Sequence, residues 1–264
     1  MARFHLAFWF VVVVKVICPA ALADPSVVSE HRFVATIAHE IQLGYLLSMP
    51  ESLELDTPEA GARYPLVIFL HGAGERGDDL AKLEAHGPPK LLASGEAPEV
   101  LRKAFVLSPQ CPAERFWSSE IMVEALDQLL AEVLDAHPID RSRIYLTGLS
   151  MGGYGTWAWG GGRTDTFAAL APVCGGGMGW SAHNIGEAKV PIWAFHGDRD
   201  GVVPLAETID LMDVVREAGH DGPDARLTVY SNTTHNSWTA AYGDAAFWDW
   251  LFRQRRSGEP GFTQ

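Results

Sequence analysis

The sequence predicts an α/β fold in which helices cover both faces of a mostly parallel, twisted sheet of about eight strands. Short apolar runs ending in Gly, Pro or Asn alternate with helical patterns from the middle of the chain onward, as in buried parallel strands joined by helices. The chain has 264 residues, with neither internal repeats nor a long Pro- or Ser-rich linker. This length can bury one large core, so we expect one domain.

Each predicted strand is a short apolar segment. RFVATIA and LGYLLSM are expected to form an entry hairpin near the N-terminus. Six further segments fit buried parallel strands, and they lie at 65–71, 104–110, 143–148, 170–175, 191–197 and 226–232.

Helical patterns separate the later strands. The clearest is 119–137, where apolar residues share one face: Met122, Leu126, Leu129, Leu130 and Val133. Other predicted helices are DDLAKLEAH, the segment after Ser150, LAETIDLMDVVREAG and DAAFWDWLFRQRR, whose aromatic residues we interpret as core packing.

The first 23 residues have the layout of a secretory signal peptide, with Arg3 near the start, the apolar run LAFWFVVVV and an A-x-A site before Asp24. A membrane anchor is the alternative, but the run is shorter than the ~18 residues of a spanning helix and Lys15 interrupts it. We therefore expect cleavage after residue 23, a mature domain of residues 24–264, and a secreted or periplasmic protein without stable membrane insertion.

The formal charge is −13 at pH 7, and the N-terminal segment that we expect to be removed contains basic residues but no acidic ones. An acidic protein repels nucleic acid and anionic membranes, so we expect neither as a partner. The mature chain keeps Cys111 and Cys174, which are too few for a disulfide scaffold. On the usual strand order of such sheets they lie roughly 14 Å apart at ~4.8 Å per strand, so we expect two free thiols.

GLSMGG at 148–153 follows a predicted strand and precedes a predicted helix. This G-x-S-x-G arrangement is typical of a nucleophile elbow, a sharp turn that projects the hydroxyl of Ser150 above the sheet. Gly148 and Gly152 would leave space for neighbouring backbone to pass. The N-terminal amides of the helix would favour negative charge near the serine.

A nucleophilic serine needs a histidine base and an acid that orients the histidine. Asp200 and His235 follow Ser150 in the required order, each in a loop after a predicted strand, where open parallel sheets place their sites. Asp198 is the competing acid, but it directly follows the strand and is expected to brace the turn. His71 and His196 end strands in His-Gly pairs, so we expect buried imidazoles that bind loops.

HGDRDGVVPLAE at 196–207 nearly fits a calcium loop, but it begins with His196 instead of Asp and no helix precedes it. We expect no metal there. The amides of Met151 and Ala73 are the candidate oxyanion donors, since Met151 follows the nucleophile and Ala73 lies in the loop after the third strand. Next to Ala73, Glu75 and Arg76 either line the site or pair with each other, and we expect the surface ion pair.

PLVIFLHGAGERGDD, VLSPQCP, DRSRIYLTGLSMGGYGTWAW and FHGDRDGVVP resemble motif blocks of the α/β-hydrolase superfamily. Within it, they are similar to secreted carboxylesterases and predicted peptidases of the prolyl-oligopeptidase-like and dienelactone-hydrolase-like groups, which include feruloyl esterases and polyester depolymerases. The resemblance covers about residues 62–252. It implies a Ser150–Asp200–His235 triad, oxyanion amides at Ala73 and Met151, and no cofactor.

Two departures from these families bear on the substrate. Only about forty mature residues precede the third strand, which leaves no room for the propeller of prolyl oligopeptidases. The segment 173–190 is short and glycine-rich, so we expect no amphipathic helix, lid or large cap there. Because no propeller or lid is expected to cover the serine, we expect an esterase with an open site for small-molecule or polymer-attached esters that carry short-acyl, aromatic or bulky groups. A serine peptidase is the alternative, and a non-catalytic binding protein the third possibility.

Tryptophans are the candidate substrate contacts. Trp117, Trp180 and Trp238 lie in or beside loops at the expected site and could hold an aromatic or sugar ring; packing at the edge of the core is the alternative for each.

Overall fold

The computed structural model describes residues 28–36, 40–54 and 61–256, so the predicted signal peptide lies outside the described residues. In these ranges eight strands form one sheet in the order β1-β2-β4-β3-β5-β6-β7-β8. The strands are β1 (Val28–Thr36), β2 (Glu40–Ser48), β3 (Tyr64–Leu70), β4 (Phe105–Pro109), β5 (Ile139–Leu149), β6 (Ala169–Val173), β7 (Ile192–Gly197) and β8 (Ala225–Tyr230).

The sheet is antiparallel only at the edge formed by the entry hairpin. β1 pairs antiparallel with β2 and β2 with β4, whereas the pairs from β4 through β3 to β8 are all parallel. The predicted hairpin and the predicted parallel sheet are therefore both confirmed. β3 and β5 separate the strands that precede Cys111 and Cys174, and both cysteines are free and buried.

Helices cover both faces, as the alternation along the strands requires. In β3, Leu66, Ile68 and Leu70 pack on one face, while Val67 and Phe69 pack on the other. The first face is covered by α4 (Glu120–Ala136), α5 (Met151–Gly162), α6 (Gly179–Glu187) and α7 (Leu205–Glu217), and the second by α2 (Gly87–Ala93), α3 (Glu99–Arg102), α8 (Trp238–Gly243) and α9 (Ala245–Arg253). A short α1 (Glu51–Glu54) follows β2.

The apolar face predicted for α4 is buried, and so are Phe247, Trp248 and Leu251 of α9, which confirms their interpretation as core residues. The predicted helix DDLAKLEAH is instead a 3₁₀ segment at Leu80–Ala85. Among the described residues, none of the helices combines the length and the hydropathy needed to span a bilayer.

The prediction that 173–190 contains no amphipathic helix is wrong, because α6 lies there. Its buried residues include Ser181, Ala182 and Gly186, whose small size allows close packing between α5 and α7. A Cβ at Gly186 would overlap the carbonyl oxygen of Val215 in α7. A helix that packs through small residues lacks the large apolar stripe on which the sequence prediction relied.

Candidate active site

Ser150 lies in the turn between β5 and α5, as predicted. Its backbone is in a sparsely populated region, with φ 53° and ψ −115°, and its amide donates to the carbonyl of Val173 at 2.9 Å. A Cβ at Gly152 would overlap the carbonyl oxygen of Leu70, and one at Gly148 would overlap that of Gly152. The two glycines therefore let the turn pass against β3 and hold the serine hydroxyl above the sheet.

The loops after β7 and β8 bring Asp200 and His235 to Ser150. His235 Nε2 lies 2.9 Å from the Ser150 Oγ, and His235 Nδ1 lies 2.7 Å from Asp200 Oδ2. Because a carboxylate only accepts hydrogen bonds, Nδ1 carries the proton and the lone pair of Nε2 faces the serine hydroxyl. This arrangement can remove the hydroxyl proton as the oxygen attacks an electrophile.

Asp200 is surrounded by hydrogen-bond donors. Its side chain is inaccessible to solvent, and Oδ1 accepts from the amides of Val202 and Val203 at 2.8 and 3.0 Å. Burial alone would raise the pKa of Asp200, but the hydrogen bonds from His235 and from the two amides outweigh it and lower the pKa. The carboxylate therefore stays charged, as an acid that orients a histidine must.

Asp198, the competing acid, lies outside this network. Its side chain is exposed, and Oδ1 accepts from the amide of Thr233 at 3.2 Å. It braces the loop that carries His235. Sequence reasoning missed a fourth partner of Asp200, since His196 Nε2 lies 3.1 Å from Oδ2 in addition to binding the Val203 carbonyl.

His71 braces the loop that carries Ala73, as expected for a buried imidazole. Nδ1 lies 2.6 Å from the carbonyl oxygen of Gly72, and Nε2 lies 2.9 Å from the amide nitrogen of Cys111. Burial lowers the pKa of His71 to about 4, so the ring is neutral, and Nδ1 donates while Nε2 accepts. His71 thereby fixes the Gly72 peptide, next to the amide proposed as an oxyanion donor.

Gln110 is a second brace of this loop that sequence reasoning did not single out. Its Nε2 donates to the carbonyls of Glu75 and Asp79 at 2.7 and 2.8 Å, and the side chain is buried. The VLSPQCP block is the only sequence signal that could have identified Gln110.

The other proposed oxyanion donor is the amide of Met151. This amide lies at the first position of α5, where it has no hydrogen-bond partner within the helix.

Glu75 and Arg76 do not form the predicted surface pair. The Glu75 carboxylate faces His71 and His86 at 3.8 and 4.0 Å. Arg76 turns the other way, where its Nε donates to the Ala73 carbonyl at 3.1 Å and its guanidinium lies over the ring of Phe116. The two side chains therefore lie on opposite sides of the loop, and the buried Glu75 Oε2 accepts no hydrogen bond from the described residues.

The three candidate tryptophans occupy different environments. Trp117 is fully buried and donates to the carbonyl of His71 at 3.1 Å, so it packs beneath the site and does not reach a substrate. Trp238 is half-buried and meets the ring of His235 edge-on at 5.4 Å. Trp180 is 52 % exposed at the start of α6 and lines a surface hollow with Ser118.

Within the described ranges, one group of side chains has metal-ligating atoms close together. The thiol of Cys174 and the ligating atoms of Asp200 and His235 lie within 4.8 Å of one another. The set fits a metal ion poorly, because burial raises the pKa of the thiol to about 12 and the carboxylate already binds His235 and two amides. The segment 196–207, which nearly fits a calcium loop in sequence, does not bring its carboxylates together, since Asp198 points to solvent while Asp200 points inward.

Solved structures similar to this chain are hydrolases of the same fold. A thermostable esterase is 33% identical with a TM-score of 0.75; the match covers 86% of this chain, which spans 63% of the esterase's length. The acylaminoacyl peptidase of Pyrococcus horikoshii (16% identity, TM-score 0.63) matches over 89% of this chain and 43% of its own length. The feruloyl esterase module from Clostridium thermocellum (14% identity, TM-score 0.64) matches over 91% and 92%, respectively.

A comparison with curated proteins gave no match. The model of the dienelactone hydrolase family matches residues 98–244, which is more than half of the chain and includes the serine elbow and both loops that meet it. The chain therefore belongs to the dienelactone hydrolase family and has the α/β-hydrolase fold.

Proposed function

We propose that this protein is an exported serine esterase that hydrolyses carboxylic esters with short-acyl, aromatic or bulky groups through an acyl-enzyme. The observation that carries the proposal is the hydrogen-bonded series from Asp200 through His235 to Ser150 at the carboxyl edge of the sheet. The likeness to a thermostable esterase supports ester substrates. The predicted signal peptide supports export.

The proposed reaction has two halves. His235 Nε2 takes the proton of the Ser150 hydroxyl as its oxygen attacks the ester carbonyl, and the amides of Ala73 and Met151 bind the oxyanion. The carbonyl then re-forms, the ester C–O bond breaks, and His235 gives the proton to the leaving alcohol. Water attacks the acyl-enzyme with the same proton transfers, which releases the acid and restores Ser150.

The exposure of the site supports a bulky ester as the substrate. Ser150 is partly exposed and the His235 side chain is 19% exposed, so a substrate can reach both from solvent. The helix between β6 and β7, α6, packs against α5 and α7, so it belongs to the helical layer on that face of the sheet. An open site holds a long lipid tail poorly but admits esters attached to large groups.

The test uses the chain expressed in a bacterial host with its own N-terminus. Protein recovered from the periplasm should begin at Asp24, and a fluorophosphonate should label it on Ser150. Emulsified triglycerides, peptides and water-soluble esters of varied acyl length are then compared as substrates. Ser150→Ala should abolish both labelling and hydrolysis, while Ser94→Ala, at an exposed serine, should change neither.

Three results would contradict the proposal. Faster cleavage of peptides than of every ester would indicate a peptidase, and an unlabelled, inactive protein would indicate a binding protein. Retention of the intact N-terminus would contradict export but would not contradict the esterase assignment.

A further inference from the structure

A surface hollow lies among the helices that cover the same face of the sheet as α5, the helix that follows Ser150. This hollow of about 330 Å³ is formed by the start of α4, the later part of α5 and the start of α6, and its lining includes Ser118, Glu120, Glu124, Ala158, Arg163 and Trp180. Ala158 is eight residues from Ser150, which corresponds to about 12 Å along α5 at 1.5 Å per residue. The hollow is therefore separate from the serine but within reach of one extended substrate.

The side chains that line the hollow are of several chemical types, including aromatic, acidic and hydroxyl-bearing ones. Trp180 exposes 52% of its surface, although an indole is usually mostly buried. In the part of the chain that the structure describes, no ion pair engages the Glu120 or Glu124 carboxylates, and Asp127 holds the Arg163 guanidinium at 2.6 and 2.9 Å. The hollow thus offers an aromatic plane, free acceptors and the hydroxyl of Ser118.

We infer that this hollow is a saccharide subsite, which binds a neutral sugar chain whose ester group is presented to Ser150. The inference rests on the proposed function and names its substrate class. An indole plane stacks on the C–H face of a sugar ring, and carboxylates with a hydroxyl match sugar hydroxyls, which both donate and accept. An anionic chain would be repelled by the two glutamates, and an apolar polyester would desolvate them without returning hydrogen bonds.

A series of contacts along one exposed loop links the hollow to the loop that carries Ala73. Arg76 donates to the carbonyl of Ala73 and its guanidinium lies 4.9 Å from the centre of the Phe116 ring. Phe116 is 55% exposed and lies two residues from Ser118 at the edge of the hollow. A sugar chain in the hollow can therefore follow one exposed loop to the proposed oxyanion amide.

The first experiment measures binding without hydrolysis. Xylohexaose, cellohexaose and mannohexaose, all without ester groups, are titrated calorimetrically into the mature protein. At least one should bind, and Trp180→Ala should weaken its binding at least tenfold, with a smaller loss for Glu124→Gln. Glu132→Gln, at an exposed glutamate two turns further along α4, is the matched control and should bind like the native protein. No binding, or equal binding by Trp180→Ala, would overturn the inference.

The second experiment measures substrate length. For acetylated xylo-oligosaccharides of one to six units, kcat/KM should rise with length in the native protein and in Glu132→Gln. In Trp180→Ala, the ratio between the longest and the shortest substrate should fall about tenfold. A faster reaction with cationic choline esters or with aryl polyester oligomers, lost in Trp180→Ala, would contradict a saccharide subsite. If no ester is cleaved, the proposed function fails, and the calorimetry alone decides the subsite.

Discussion

The candidate site has two regions that differ in how firmly their residues are held: a floor of residues in contact with backbone, and a rim of exposed side chains. The floor consists of His71, Gly152 and Asp200, whose hydrogen bonds or close contacts with backbone fix their positions. The rim consists of exposed apolar side chains on the segments that follow β4, β6 and β7, each more than half exposed: Phe116, Met178, Trp180 at the start of α6, and Val202. The floor thus constrains the chemistry, while the rim is free to vary with the substrate.

The largest expected effect separates two aspartates of the same loop. Asp200→Asn should lower kcat on a soluble ester about 10⁴-fold. The neutral asparagine amide would neither stabilise the positive charge that His235 acquires during the reaction nor keep its ring in the tautomer with the proton on Nδ1. Asp198→Asn should lower kcat less than threefold, since its carboxylate only braces the Thr233 amide. Steady-state kinetics on both variants check this. Comparable losses would show that the two carboxylates share the role assigned to Asp200.

The second prediction concerns glycines in the floor and at the rim. Gly152→Ala should lower the free energy of unfolding by at least about 3 kcal/mol, because its Cβ would overlap backbone of β3 that cannot move aside. Gly179→Ala, at the start of α6, has no atom within 4 Å of its Cβ and should change stability by less than about 1 kcal/mol. Urea unfolding compares the two, and similar losses would contradict the distinction between floor and rim.

The smallest expected effect concerns His71 and pH. Its folded pKa of about 4 lies below the ordinary 6.5, so between these values only the unfolded chain takes up the proton. Stability is therefore complete above about pH 6.5 and falls as the pH decreases toward 4, with a contribution of about 2 kcal/mol between pH 7 and 5.

Urea unfolding at pH 7, 6 and 5 checks the His71 prediction. His71→Gln should lower stability at pH 7 but also reduce its further loss toward pH 5. His183→Gln, at an exposed histidine, should keep the native pH dependence. An unchanged slope in His71→Gln would show that other groups cause the loss.

The sheet was predictable because its strands are short apolar segments between clear turns. The residues of the site were predictable as candidates because their order in the chain and their places after strands follow from the topology. The structure brings Ser150, Asp200 and His235 into hydrogen-bond contact; their catalytic roles remain for the kinetics to test.

Other features depend on tertiary contacts that have no local signal. Gln110 reaches carbonyls more than thirty residues away, and the indole of Trp117 turns inward to the His71 carbonyl. The sequence pattern does not show which loop aromatic residues turn inward. The sequence pattern did not predict α6, because this helix packs closely through small residues and lacks the stripe of large apolar residues that marks an amphipathic helix.

Helix α5 carries six glycines among its twelve residues, at a cost of roughly 1 kcal/mol each relative to alanine. Such a segment does not hold a helix in isolation, so its neighbours must impose one. Gly153 fits against the carbonyl of Val173, Gly155 against Trp117 and Gly161 against Ser181. We therefore expect the serine turn to take shape only after strands and loops distant in the chain have assembled, so that a partly folded chain presents no ordered nucleophile.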